Sequence, residues 1–409
     1  MNDTNLNQNQ NNELTLGHDR GSKPFDFNLR NVRDVLFSNL NEREITILNR
    51  RYGLNGDEGE TLEGIGDTYK LTRERVRQIE NASLKKVLKH PELEKQTRPF
   101  GEIIADILKD HGGLLEKDYT FNLLSRIYKI KDEEKEGQRN LVDFLINRLF
   151  PETGEVHLHD YFLDAYKLKS AELDKFENIV KELLSKIEEE KRTLSTVEMI
   201  NVLKNDIEES KKLLEEVNKR KEDSDEKYKA YLPDLANSEL HKENIDFIHD
   251  HLPLYAIIRT ARDINQNKFG HWGASHWEEI NPKTVNKKIY MVLKRHGQPL
   301  HFNEIAQKIN EVGFDDKIAN PATVHNELIL SDKYVLVGRG VYSLNDWGYA
   351  SGTVADIIER ILEKEAELSR EDIIKKVLDQ RAVKAATINL ALNNREKFAK
   401  TNEGYKLKK

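Results

Sequence analysis

The chain of 409 residues carries 65 Lys and Arg against 72 Asp and Glu, a formal net charge of −7, and no cysteine. The missing cysteine excludes a disulfide framework, a thiolate nucleophile and Cys-based zinc sites. Apolar residues at 37% and charged residues at 33% predict several small cores and well-exposed helices instead of one large core. No apolar run is long enough for a transmembrane helix, and the polar start MNDTNLNQNQNN has no signal core. A cytoplasmic chain with no membrane partner is expected. The acidic total does not exclude nucleic acid, because binding depends on where charges sit.

Residues 1–26 are Asn/Gln-rich and too polar to offset ordering entropy, so disorder is predicted there. Helical periodicity begins near Phe27, with Val32, Val35, Leu36 and Leu40 on one face. A second run holds Ile45, Ile47, Leu48 and Tyr52, and the Gly-rich stretch from Gly53 to Gly59 breaks it. Thr61 caps a third helix carrying Leu62, Ile65 and Tyr69. A short turn at Lys70 and Leu71 leads to Thr72, the cap of a fourth helix with Val76, Ile79 and Leu84 on its apolar face. Pro91 closes this block of residues 27–95.

The remainder repeats one unit. FGEIIADILKDHGGLLEKDYTFNLL (from Phe100) and NKKIYMVLKRHGQPLHFNEIAQKI (from Asn286) both place Leu-Lys before a His-Gly pair, and a Leu follows in each (Leu114, Leu300). VADIIERILEKEAELSREDIIKKVL (from Val354) has the same form, and IVKELLSKIEEEKRTLSTVEMINVL (from Ile179) is a weaker copy with Leu194 matching Leu368. The unit is a helix, a short extended stretch holding the Leu, and a second helix. In the two later copies a third helix and a hairpin follow, the first hairpin turning at Gly338-Arg339-Gly340 and the second at Gly404. The predicted fold class is mainly α, with tandem helix-turn-helix and winged-helix domains bearing short β-hairpin wings. Winged units are expected over residues 96–170, 286–350 and 351–409. Residues 171–280 read either as a further winged unit with inserted charged helices or as a coiled coil along Leu173, Phe176, Val180, Leu183 and Ile187 that would make a homodimer.

Function concentrates between Leu40 and Pro91. The helix opened by Thr72 places Arg73, Glu74, Arg77 and Gln78 away from the apolar stripe. At the start of a recognition helix, Arg can bond a guanine edge, Glu can accept from a cytosine amino group and Gln can read adenine. Arg75, Lys85 and Lys86 are phosphate candidates, and Thr72, the cap, joins them among the candidate DNA-binding residues. Taken alone, this charge run also reads as a solvated helix face. Its context differs: Arg51-Tyr52-Gly53-Leu54, Thr61-Leu62-Glu63, TRERVRQIE from Thr72 to Glu80, and the tail ending in His90-Pro91. This stretch resembles the fourth region of the primary sigma factor family of bacterial RNA polymerase. The resemblance implies binding of double-stranded DNA at a minus-thirty-five promoter element, through Arg73, Glu74, Arg77 and Gln78, and docking on the flap of the polymerase β subunit. Gly64 departs from the family's usual acidic residue, which removes a capping partner for Thr61 at a cost of about 0.5–1 kcal/mol to that helix. Only a polar tail and one helical run precede the motif, so the chain is not expected to open promoters alone.

Lys288 to Tyr349, with GRGVYSLNDWGY at its end, resembles a HARE-type helix-turn-helix domain, as in the delta subunit of Gram-positive RNA polymerase. The resemblance implies a non-catalytic, DNA- or polymerase-associated module. Arg339 at the hairpin tip is a candidate wing contact to a minor groove or a phosphate. His157 and His159 on an expected strand are candidate zinc ligands or plain wing histidines, and GHWGASHW from Gly270 offers aromatic packing or a stacking surface for a base. His111 and His296 before glycines read as helix C-terminal residues. No phosphate-cradling loop, nucleophile–base set or cofactor motif is visible, so no enzyme activity, cofactor or metal is expected. The expectation is a bacterial transcription regulator resembling a partial sigma factor. The alternatives are a polymerase-binding adaptor without sequence-specific DNA binding, and an accessory of DNA modification or restriction.

Overall fold

The computed structural model describes residues 29–131, 134–221, 245–349, 352–381 and 383–408. The tail of residues 1–26, the onset at Phe27 and the charged stretch after Lys221 lie outside them. The chain is mainly α: eighteen helices among the described residues, with four small antiparallel sheets of two or three strands.

Four helices open the chain: α1 (Leu29–Phe37), α2 (Glu42–Tyr52), α3 (Leu62–Tyr69) and α4 (Arg73–Leu88). Asn41 caps α2 in a reciprocal box with Glu44, and Gly53 ends it in the left-handed conformation. A side chain at Gly53 would collide with the Asp57 carbonyl, so this position requires glycine. Ile47, Ile65 and Val76 form a small core of their own, flanked by Leu62, Tyr69, Leu71 and Ile79.

Next come α5 (Leu93–Asp110), β1 (Leu114–Glu116), α6 (Lys117–Ile127), α7 (Lys135–Leu149), β2 (Thr153–Val156) and β3 (Ala165–Leu168), with strand order β1-β3-β2. They are followed by α8 (Leu173–Glu190), α9 (Thr196–Asp206), α10 (Glu208–Lys221), α11 (Ile245–His249), α12 (Leu252–Thr260), β4 (Ile264–Gln266) and β5 (Trp272–Ala274). Then come α13 (Val285–His296), β6 (Leu300–His301), α14 (Phe302–Val312), α15 (Pro321–Leu330), β7 (Tyr334–Gly338) and β8 (Val341–Leu344), with strand order β6-β8-β7. The chain closes with α16 (Val354–Lys364), α17 (Arg370–Leu378), α18 (Ala385–Leu392), β9 (Phe398–Lys400) and β10 (Tyr405–Leu407).

The repeated leucine has a structural task. Leu114 pairs with Lys167, Leu194 with Trp272, Leu300 with Tyr342 and Leu368 with Tyr405, each antiparallel to the returning strand of its hairpin. The same helix–leucine–helix–hairpin arrangement thus occurs four times. Both histidine-glycine pairs sit at helix ends: His111 ends α5 with Gly112 at φ +83°, and His296 is the last residue of α13 with Gly297 at +73°.

The cores differ from the expectation of many small ones. A single apolar core runs from Leu29 to Trp272, and separate cores serve residues 289–344 and 357–398. The reason is that α1, α2 and α4 lend Leu36, Phe37, Leu48 and Val87 to the large core. Phe37 and Tyr52 meet Phe144 of α7, with ring centroids 6.0 and 5.0 Å apart. The α8 stripe belongs to this core as well. Phe176, Val180, Leu183 and Ile187 of α8 are at most 5% exposed within the chain's own core, and Leu173 is partly buried against it.

The two histidines expected on a strand lie beyond it, since β2 ends at Val156. His157 Nδ1 is 2.8 Å from Asp164 Oδ2, while the His159 ring stacks on Phe162 at 4.8 Å with its Nε2 3.4 Å from Glu177. Trp272 is buried, and its indole N–H donates to Thr196 Oγ1 at 2.9 Å, so that ring packs instead of presenting a face.

Candidate nucleic-acid interface

Helices α3 and α4 are joined by a turn whose geometry is set residue by residue. Thr61 Oγ1 accepts from the Gly64 N–H at 3.1 Å, and Gly64 offers no side chain to return the bond. Lys70 ends α3 in the left-handed conformation at φ +53°. The Leu71 N–H donates to the Gly66 carbonyl at 2.9 Å, and a Cβ on Gly66 would stand 2.7 Å from the Leu71 carbonyl oxygen. Close approach therefore demands glycine at position 66. Thr72 caps α4 by accepting from the Arg75 N–H at 3.2 Å.

On α4, Val76 faces the small core, Glu80 and Val87 are buried, and Arg73, Glu74, Arg75, Arg77 and Gln78 are exposed. The exposed groups form a chain of contacts. Arg77 donates to both Glu74 oxygens at 2.8 and 2.7 Å, Gln78 Nε2 donates to Glu74 Oε1 at 3.4 Å, and Arg75 donates to Gln78 Oε1 at 3.2 Å. The Arg77 guanidinium holds the Glu74 carboxyl below its ordinary range, and Glu74 raises Arg77 in return. Exposed pairs of this kind are worth little and exchange readily for other partners. Arg73 and Lys85 make no side-chain hydrogen bond among the described residues, and both are exposed.

Lys86 stands differently from the other candidates. Its ammonium donates to both oxygens of the nearly buried Glu44, at 2.7 and 2.9 Å, and so ties α4 to the start of α2. Arg339 lies on the β7–β8 turn in a unit with a separate core. The structure thus brings the α4 candidates together and leaves Arg339 apart from them.

Three supports had no signal in local spacing. Arg50 clamps Glu60 at 2.5 and 2.6 Å, which closes the loop after α2. Tyr52 donates to the buried Glu80 at 2.6 Å, and burial together with that bond pushes its hydroxyl well above its ordinary value. Asn140 of α7 donates to the carbonyls of Gly53 and Asp57 at 2.9 and 3.0 Å, which fixes the same loop to the body.

Residues 36–89 match the family model described as Sigma-70, region 4. The RNA polymerase sigma factor SigA of Lactococcus lactis subsp. cremoris is 43% identical over 72 residues, 18% of this chain and 20% of that protein. The sigma factor of the same name from Listeria monocytogenes is 44% identical over 71 residues, 17% of this chain and 18% of its own length. The chain thus spans about a fifth of the length of the curated relatives it matches. No solved structure matches it significantly. No described helix is long and apolar enough to cross a membrane. Residues 36–89 are therefore similar to the Sigma-70 region 4 family, within a chain most of which lies outside that match.

Proposed function

We propose that this chain is a non-enzymatic, DNA-binding transcription regulator that reads a minus-thirty-five-like promoter element through α4 and docks on the RNA polymerase core, with the β-subunit flap as its site. The observation that carries this reading is the exposed Arg73, Arg75, Arg77 and Gln78 face of α4, held behind a glycine-tight turn inside the segment that matches region 4. Entering the major groove, Arg73 and Arg77 would bond guanine edges, Gln78 adenine, and Glu74 a cytosine amino group. Thr72, Arg75 and Lys85 would hold phosphate, with Lys86 acting mainly through Glu44. The body serves as an array of four winged-helix units, the one over residues 286–350 of HARE type. The test is binding of the full chain to duplexes with and without the element. Equal affinity for both, unaltered by Arg73→Ala with Gln78→Ala, would refute base reading.

A second reading has its own support. The third helices α15 and α18 contain no Lys or Arg, so they lack the cations that phosphate contacts need. This favours an adaptor role for the two C-terminal units, beside a DNA-reading head. Recovery of polymerase by the protein without DNA would support it.

A further inference from the structure

The turn between β4 and β5 reaches across to the next unit. Asn267 builds that turn: its Oδ1 accepts from the N–H groups of Phe269 and His271 at 2.9 and 3.1 Å, and its Nδ2 donates to the Glu279 carbonyl at 3.0 Å. Gln266 Nε2 donates to the Gly270 carbonyl at 3.0 Å. So anchored, the half-buried Phe269 meets Phe314 edge-on, with ring centroids 5.8 Å apart, and its centroid lies 5.9 Å from the Arg295 guanidinium of α13. Met291 of α13 is 6% exposed yet belongs to neither flanking core, so the joint itself buries it. Between turn and helix lies a cavity of about 270 Å³.

The lining divides by chemistry. Phe269, Tyr290 and Met291 supply apolar surface. Thr193, His271 and Tyr290 supply polar groups whose side chains make no hydrogen bond among the described residues. The charges are two cations and one carboxylate. Lys294 is bonded to that carboxylate, Glu279, at 3.0 Å, which leaves Arg295 with no ion pair among the described residues. Of the charged residues next in sequence, Lys268 is exposed and likewise unpaired, Glu278 is held by Lys287, and Arg192 by Glu190 and Glu198. Asp315, beside Phe314, is held by Lys288. The uncompensated charge at the cavity is therefore positive.

That combination selects a ligand. A fixed aromatic ring offers a stacking face, and a guanidinium at the far end of cation–π range is free to turn to an anion. Unengaged hydroxyl and imidazole groups suit the polar edge of a heterocycle better than a plain phenyl ring. The volume is near the lower end for small-molecule sites, about 300 Å³, so it takes one ring system with its charged group at the mouth. We propose that the joint of the β4–β5 turn and α13 is a nucleotide-binding site. The base lies on the Phe269 ring with its edge toward Thr193, His271 and Tyr290, and the phosphate meets Arg295 and Lys268. The site is separate from α4 and does not rest on base reading there.

The test titrates the full chain calorimetrically with AMP, GMP, CMP and UMP, with a five-nucleotide single strand of mixed sequence, and with inorganic phosphate. At least one nucleotide, or the strand, should bind more tightly than phosphate. Phe269→Ala and Arg295→Gln should each weaken that binding by about fivefold or more. Arg295 is exposed, so Arg295→Gln should leave the melting temperature unchanged. Lys364→Gln, which removes an equal charge from α16, should leave binding intact. Tighter binding of a mononucleotide assigns the site to a free nucleotide, and tighter binding of the strand assigns it to an unstacked base of a nucleic acid. Phosphate binding as tight as nucleotide binding, an equal loss in Lys364→Gln, or binding retained in both Phe269→Ala and Arg295→Gln overturns the proposal. So does the absence of binding by every nucleotide and the strand.

Discussion

Two glycines two positions apart in α3 should respond to alanine with opposite signs. At Gly64, an added Cβ meets nothing nearer than Thr61 Oγ1 at 3.4 Å, an ordinary contact. Gly64→Ala therefore gains only the helix preference of alanine, about 0.8–1 kcal/mol. At Gly66, the Cβ would stand 2.7 Å from the Leu71 carbonyl oxygen. That oxygen belongs to the backbone of the turn and cannot rotate away. Overpacking of this kind costs about 1–3 kcal/mol, which offsets the same preference and leaves a net loss of up to about 2 kcal/mol. The two variants should differ by the overpacking cost, about 1–3 kcal/mol, a roughly fivefold to 140-fold difference in local opening. Hydrogen exchange of α3 and α4 amides reads this directly, because Ile47, Ile65 and Val76 form a core distinct from the large one. Changes of the same sign at both positions, or slower exchange in Gly66→Ala, would refute the turn geometry as the reason for the glycine.

Other consequences follow from the ion pairs. Lys85→Ala should lower the salt dependence of DNA affinity by about one phosphate's worth. Lys86→Ala should act first on stability, costing about 0.2–1 kcal/mol by urea unfolding, because its ammonium is committed to Glu44. Arg259 donates to Glu116 at 2.7 Å, their side chains 28% and 13% exposed, across the joint of α12 and β1. Arg259→Ala should cost about 1.5–3 kcal/mol in a urea melt. In the C-terminal unit, bonds from the Thr353 side chain and backbone, then from Lys397, hold the Asp356 carboxyl well below the usual carboxylate range. The stabilisation is present at neutral pH and is lost as pH falls below the ordinary aspartate value through the depressed one. Amide exchange in α16 should accelerate over that acid range in the wild type, and Asp356→Asn should remove that dependence.

Local features of the head and wings were legible in sequence because they depend on neighbours. Thr61 and Thr72 read as caps and cap their helices, and the apolar faces of α3 and α4 follow their periodicity. The recurring Leu114, Leu194, Leu300 and Leu368 marked a repeat, and its strand-pairing task became visible only with the hairpins in place. Partner choice at long range was not legible. The α8 stripe reads as a seam whether a second copy or the chain's own core covers it. Glu44–Lys86 and Glu116–Arg259 join residues far apart in sequence with no periodic signature. Lys85 and Lys86 looked equivalent in sequence, and only the fold separates the exposed one from the one held by Glu44. The left-handed backbone at Leu158 has no sequence signal either, since leucine is not a residue that predicts it.

The central claim is that the exposed face of α4 reads base edges. The most direct measurement compares the affinity of the full chain for a duplex carrying a minus-thirty-five-like element with that for a scrambled duplex. It is made at several salt concentrations, before and after Arg73→Ala with Gln78→Ala. A preference for the element that shrinks by about 1–3 kcal/mol per lost bidentate contact, with the salt slope nearly unchanged after Gln78→Ala alone, is the predicted result. Equal affinity for the two duplexes in the wild type, or a preference that survives the double substitution, would contradict it.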